Sequence, residues 1–326
     1  MGFDIVIFAL IAAFATISGI NDGGNLMSTF LASRTLRPVI FIPLLILSVG
    51  LGPVVFGTAV SRTISVQIVN FSAAGHTVLM VSLLAALFTL SLTWWLKIPT
   101  STTIALGGGM VGASVISGRS DLIHWMGVAK LLVGLVASVC IGFIVACIVT
   151  KLLWFVLKRL SMKQVSWLQR AQYVTALWQG LAYGANDQEK VVGLLTVLWM
   201  LVQHQTRYHV PFVAIVLSLL FWTTGLLFGS IRIARTVGQH IVRIDPTNAL
   251  ATQLSAALTV SGAALSGFPV STTQTTDGSL FGAATILRPL NIRWNTISKM
   301  AGVWAVTMPL AVVFGVIVME SAVLIH

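Results

Sequence analysis

Apolar runs long enough to cross a bilayer recur from one end of this chain to the other. Residues 39–56, 77–96, 128–149, 211–228 and 297–319 each approach the ~20 apolar residues that a membrane-spanning helix needs. Lipid offers no hydrogen bonds, so every backbone N–H and C=O must be satisfied internally and only helices or closed barrels can span it. A barrel would be written as short alternating segments with frequent polar gaps, which is not the pattern here. The expected class is therefore an all-α polytopic membrane protein. Composition agrees: 57% of the 326 residues are hydrophobic and 8% charged, against roughly 25% charged in an ordinary soluble domain. The net charge of +11 could suggest nucleic acid, but the 19 basic residues lie mainly between or at the ends of the apolar runs rather than in one patch. That distribution suits membrane orientation. Cys140 and Cys147 fall two helical turns apart in one run, too far for a disulfide within that helix, and read as small core residues. The run over 3–18 lacks a basic flank and a cleavage signature, so it is expected to stay in the fold.

A duplication organises the runs. GINDGGN at 19–25 returns as GANDQEK at 184–190, and IPTSTT at 98–103 returns as FPVSTT at 268–273. A weaker echo pairs GTAVSRTI, from Gly57, with GSIRIARTV, from Gly229, and aligns Arg62 with Arg235. The offsets, measured at Gly19/Gly184, Ile98/Phe268 and Arg62/Arg235, are 165, 170 and 173 residues. Three landmarks in one order at nearly constant spacing indicate two repeats, 1–150 and 171–326, joined by a basic linker over 151–170.

The motif segments do not read as plain spanning helices. Residues 3–33 would make a helix of about 46 Å against a hydrocarbon core of ~30 Å, and Gly19, Asn21, Asp22, Gly23 and Gly24 in its middle are poor helix formers. A broken helix or re-entrant hairpin is expected there. The stretch 99–118 starts on a proline followed by Thr and Ser, a helix-start signal, and is expected to be a short re-entrant element. Three crossings then remain in each half, at about 38–58, 77–96 and 126–150, and near 210–229, 249–267 and 298–320. Three is odd, so the halves must be inverted relative to one another around a central site. Lys151, Lys158, Arg159, Lys163 and Arg170 make the linker the densest basic cluster, which puts it in the cytoplasm and both termini outside.

Asp22 and Asp187 are the sharpest chemical signal, because a carboxylate at membrane depth is costly and marks an ion or substrate path. One such Asp could equally cap a helix at the membrane surface; repetition in matched context favours function. Thr100, Ser101, Thr102 and Thr103, and their counterparts Ser271, Thr272, Thr273 and Gln274, open helices with hydroxyls and free N–H groups at the positive end of the dipole. Such a start can hold an oxyanion, although a single copy could merely pack between helices. Carboxylates and Asn carbonyls ligate a small hard cation, hydroxyls and helix starts hold an anion, and a cation between them offsets their repulsion. Cotransport follows.

GINDGGN, GANDQEK, IPTSTT and FPVSTT resemble the paired signature motifs of the PiT inorganic phosphate transporters, in matching order over nearly the whole chain. The resemblance implies an inverted-repeat helical transporter of the plasma membrane that moves inorganic phosphate with Na+ or H+ and has no other cofactor. On the matched positions, Asn21, Asp22, Asn186 and Asp187 would serve the coupling cation and phosphate. Asn25, Lys190, Ser101, Thr102, Thr103, Ser271, Thr272 and Thr273 would serve the substrate. Two departures stand out: Gly24-Asn25 replaces the frequent Ala-Asn, and Ile104 and Gln274 stand where the family often has His. Loss of an imidazole at Gln274 weakens a proton relay and favours a sodium-type cation.

Glu189 and Lys190 could neutralise each other, Asp277 could cap its short element, and Arg62 and Arg235 could snorkel to the interface. His76, His124, His204, His209 and His240 fall in expected loops without recurring metal-ligand spacing and read as surface residues. Among alternatives, a sulfate or other oxyanion permease shares the architecture. Phosphate can donate hydrogen bonds to Asp22 and Asp187, whereas sulfate only accepts them. An intramembrane hydrolase with Ser101 or Ser271 as nucleophile lacks an accompanying base in sequence, so no enzymatic activity is expected. A passive channel would differ in showing no ion-coupled accumulation. A homodimer is allowed for.

Overall fold

The computed structural model describes residues 2–96, 100–118, 120–158, 165–205, 207–240, 244–287 and 289–325. These are predominantly helical, with short connections and one isolated bridge between Val69 and Ile123. The first repeat comprises α1 (Gly2–Ser33), α2 (Pro38–Phe56), a short α3 (Ala59–Arg62) running into a π-helical turn (Thr63–Ile68), α4 (Phe71–Trp95), α5 (Thr102–Ile116) and α6 (Trp125–Leu157). The second comprises α7 (Val165–Tyr183), a π-helical turn (Gly184–Gln188), α8 (Glu189–Val202), α9 (Phe212–His240), α10 (Pro246–Leu265), α11 (Thr272–Leu287) and α12 (Trp294–Ile325). The basic stretch 151–170 is helical at both ends, as the close of α6 and the start of α7, while Arg159 and Lys163 lie outside the described residues.

Packing between the repeats is reciprocal. Helix α1 packs most extensively on α9 and, at the equivalent place, α2 packs on α7. In the same way α5 lies on α12 and α6 on α11. Neighbours along α1 and α9 rise together in number, Gly19 with Trp222 and Gly24 with Ser230, so these helices are parallel. The same holds for α2 and α7, where Gly180 meets Ser48 and Gly184 meets Val49. Since the short connection after Ser33 sends α2 back across the membrane relative to α1, α7 runs opposite to α1, its counterpart. The repeats are inverted.

The parity expected from sequence holds, but through different helices. Asn70 N–H donates to Leu122 O at 3.2 Å and His124 N–H to Ile68 O at 3.0 Å, tying the start of α4 to the end of α5. The pair is a hairpin that enters and leaves on one face. The 77–96 run is therefore one arm of a hairpin, and α1 supplies the third crossing. Helix α1 is unbroken through its motif, contrary to the expected break. The reason is that Gly19 serves close approach: a Cβ there would run into the main-chain carbonyl of Trp222. Gly184 meets the carbonyl of Val49 in the same manner, and there the helix runs on through a π turn between α7 and α8 with helical dihedrals at both junctions, so neither motif segment is broken.

Side-chain burial separates the helices by role. Val54, Val136, Leu152, Phe228 and Leu324 are exposed on α2, α6, α9 and α12, where apolar side chains face lipid. Cys140 is exposed among them, so it is not a core residue. In contrast, α5 is buried at every position from Thr102 to Ser114 and α11 from Thr272 to Ala284. These two short helices form the centre of the molecule.

Candidate substrate and cation site

Four segments converge where α5 and α11 begin. Helix α1 contributes Asn21, Asp22 and Asn25, and the π turn with the start of α8 contributes Asn186, Asp187 and Lys190. Ser101 Oγ accepts from Ile104 N–H at 3.3 Å, and Ser271 Oγ from Gln274 N–H at 3.2 Å. Both serines are thus N-caps that fix the start of their helices with Oγ as acceptor, which leaves the O–H hydrogen of each available to donate.

The carboxylates bind the threonines of their own repeat. Thr102 Oγ1 donates to Asp22 Oδ2 at 2.7 Å and Thr272 Oγ1 to Asp187 Oδ2 at 2.6 Å. The repeats are joined by Thr273 Oγ1, which donates to Asp22 Oδ1 at 3.2 Å, and by Asn25 Nδ2, which donates to Thr273 O at 3.1 Å. Lys190 Nζ lies 2.7 Å from Asp187 Oδ1 and 3.6 Å from Asp22 Oδ2, and donates to Thr102 Oγ1 at 2.6 Å and Thr103 Oγ1 at 3.1 Å. Asn21 Nδ2 donates to Thr100 O, and Asn186 Nδ2 donates to Phe268 O at 3.2 Å. All twelve residues singled out from sequence are therefore brought into this one region and are buried.

Charge balance gives the site its character. Asp22 is 1% and Asp187 0% exposed, so neither can rely on water, and Lys190 neutralises only one of the two when both are ionised. The remainder is one negative charge at membrane depth. The carboxamide oxygens of Asn25 and Asn186 are also buried and have no hydrogen-bond partner among the described residues. Hard oxygen acceptors of this kind suit a small cation such as Na+.

Several contributors were not legible in the motifs. Ser18 Oγ donates to Asp22 Oδ2 at 2.8 Å from one turn earlier in α1. Tyr183, the residue before GANDQEK, donates to Thr272 O at 3.3 Å and lies 2.6 Å from Thr276 Oγ1. Thr307 Oγ1 lies 2.8 Å from Thr100 Oγ1, from within an apolar run that gave no polar signal. Other expectations are corrected. Glu189 does not pair with Lys190 but accepts from Ser61 N–H at 3.0 Å. Asp277 sits inside α11 rather than capping it, buried and with neither oxygen partnered among the described residues. His76 lies in α4, 3.1 Å from Asp4, rather than in a loop. The side chains of Arg235 and His240 lie outside the described residues.

Two clefts approach the site, one beside each hairpin tip. One, of about 440 Å³, is lined by Thr58, Arg62, Gln67, Lys130 and Phe268. The other, of about 360 Å³, is lined by Thr93, Leu96, Lys299 and Thr307. At the 169-residue offset that joins Lys130 to Lys299, Gly302, Val303, Val306, Thr307 and Leu310 of the second cleft fall on Val133, Gly134, Ala137, Ser138 and Ile141, the wall of an apolar groove between α6 and α10, so the two clefts are not repeat mates.

A family model described as the phosphate transporter family matches residues 18–168 and again 159–315, one match for each repeat. The chain is 28% identical over 307 residues to a probable low-affinity inorganic phosphate transporter of Rhizobium meliloti (strain 1021), covering 94% of this chain and 92% of that protein. It is 30% identical over 313 residues to a protein of the same description from Mycobacterium leprae (strain TN), covering 94% and 74%. A solved structure titled as the sodium-dependent phosphate transporter superposes with a TM-score of 0.89 over all of both chains at 20% identity, a likeness of fold.

Proposed function

The chain belongs to the phosphate transporter family, and we propose that it carries inorganic phosphate across the plasma membrane together with a cation, by alternating access. The observation that carries this reading is the buried pair Asp22 and Asp187 set between two helix starts with a single ammonium. Phosphate is held by the N-terminal N–H groups of α5 and α11 and by the hydroxyls of Ser101, Ser271, Thr102, Thr103, Thr272 and Thr273, the threonines turning their O–H groups from Asp22, Asp187 and the Val270 carbonyl. Its own hydroxyl donates to a carboxylate, which an acceptor-only sulfate cannot do. Asn21, Asp22, Asn186 and Asp187 serve the cation, whose charge is required because the site carries an uncompensated negative charge before the anion arrives. Na+ suits a set of hard oxygens with no imidazole at Gln274. Ser101 and Ser271 cap the two helix starts through Oγ and serve the phosphate with the O–H hydrogens that the caps leave unused.

The excess of basic residues at Lys151, Lys158 and Arg170 supports a cytoplasmic position for the connection between α6 and α7. The cleft with Arg62 and Lys130 then opens outside, where two cations draw phosphate in. Purified protein in liposomes, given labelled phosphate and an imposed Na+ or H+ gradient, tests the reading. Accumulation against the phosphate gradient with Na+ is expected, with sulfate competing poorly. Entry of sulfate without accumulation of phosphate under either gradient would refute it.

A further inference from the structure

The repeats differ at one charged position inside the site. The duplication aligns Lys190 with Asn25, both seventh in their motif. Asn25 uses its amide nitrogen on the Thr273 carbonyl and leaves its Oδ1 without a partner among the described residues. Lys190 also reaches the opposite repeat, but with a positive charge. Its Nζ has three acceptors within hydrogen-bond distance, Asp187 Oδ1 at 2.7 Å, Thr102 Oγ1 at 2.6 Å and Thr103 Oγ1 at 3.1 Å, and a second carboxylate at 3.6 Å. An ammonium has three hydrogens, and all three are used. One carboxylate, two hydroxyls and a second carboxylate nearby form an all-oxygen shell of the type that otherwise holds a small monovalent cation.

The two aspartates are consequently unequal. Asp187 bonds directly to a resident positive charge. Asp22 receives only neutral donors at bonding distance, from Ser18, Thr102, Thr273 and Asn21. Resting on the phosphate and cation reading above, we propose that Lys190 is a built-in coupling cation: its ammonium takes, at Asp187, the place that a mobile cation takes at Asp22, and so reduces by one the cations that accompany each phosphate. The positive charge that an Asn at this position would have to recruit from solution is supplied by the chain, and the energy of one ion gradient is given up in exchange for independence from that ion.

The number of Na+ ions per phosphate decides the matter. In liposomes, initial phosphate uptake is measured against Na+ concentration for the unmodified protein and for Lys190→Asn, which restores the residue of the first repeat. The Hill coefficient for Na+ is expected to be about 1 in the unmodified protein and larger by about 1 in the variant, with uptake at low Na+ reduced at least about tenfold. A coefficient of two or more in the unmodified protein overturns the proposal without any variant. So does a monodisperse variant whose Na+ dependence is unchanged or which no Na+ concentration rescues. Lys190→Gln gives the same reading if Lys190→Asn does not yield monodisperse protein. Thermal stability against Na+ without phosphate separates this proposal from the substrate assignment: a Na+-dependent rise steeper in the variant supports the built-in cation even where phosphate proves the wrong anion.

Discussion

At the scale of single residues, the unequal surroundings of Asp22 and Asp187 predict unequal consequences for the same substitution. Asp22→Asn leaves Lys190 paired with Asp187, so the protein should melt within a few degrees of the unmodified temperature while Na+-driven uptake is lost. Asp187→Asn strips the buried ammonium of its nearest counter-charge, which costs about 3–5 kcal/mol, and should lower the melting temperature in detergent as well as abolish uptake. Adding Lys190→Gln to Asp187→Asn should restore much of the lost stability. Equal stability of the two single variants would contradict the assignment of charges. Sequence made Asp22 and Asp187 legible because a repeated carboxylate in an apolar setting has few structural uses. It did not reveal which of them Lys190 serves, because the choice between Glu189 and Asp187 as partner depends on the direction each side chain takes from the π turn and the start of α8. Ser101 and Ser271 were recognised as polar helix openings, yet their engagement with Ile104 and Gln274 is a matter of rotamer and could not be read from spacing.

At the scale of elements, glycine carries two meanings that sequence does not separate. Gly19 and Gly184 occupy equivalent motif positions, and both allow two helix backbones to touch, but only the second lies in a π turn. Glycine was a correct sign of something unusual in 19–25, while the expected break did not occur because packing against α9 holds α1 straight. Gly19→Val forces a branched side chain into the Trp222 carbonyl and should destabilise by roughly 1–3 kcal/mol or more, seen as a lower melting temperature; Gly262, with nothing close to its missing Cβ, should accept Ala without loss. Ser101→Ala removes one helix cap and should cost about 1 kcal/mol, with a larger effect on phosphate KM than on melting, because Thr102 and Thr103 are carried by the turn it fixes. Helix α5 is the re-entrant element expected over 99–118, but its partner α4 is not legible as a hairpin arm: it is as long and apolar as a true crossing, and the hydrogen bonds that return α5 to its starting face join residues far apart in sequence.

At the scale of the whole molecule, the duplicated motifs were enough to establish inversion, since any odd number of crossings per repeat gives it. The clefts were not foreseeable, because their walls come from both repeats. With Arg62 and Lys130 facing outside, Arg62→Ala combined with Lys130→Ala should raise the KM for phosphate about three- to tenfold at low ionic strength and by less at high salt, with the maximal rate little changed; a salt-independent effect would argue against steering. The reciprocal pairing of α1 with α9 and of α2 with α7 carries one last implication, for biosynthesis. The first repeat leaves the ribosome with the partners of four of its helices not yet made, so during translation it must wait in the bilayer with Asp22 unmatched by Lys190 and the faces of α1, α2, α5 and α6 covered only by lipid. Assembly is completed when the later half threads its helices into those gaps, which makes the nascent amino-terminal half a natural client for membrane chaperones and quality-control proteases.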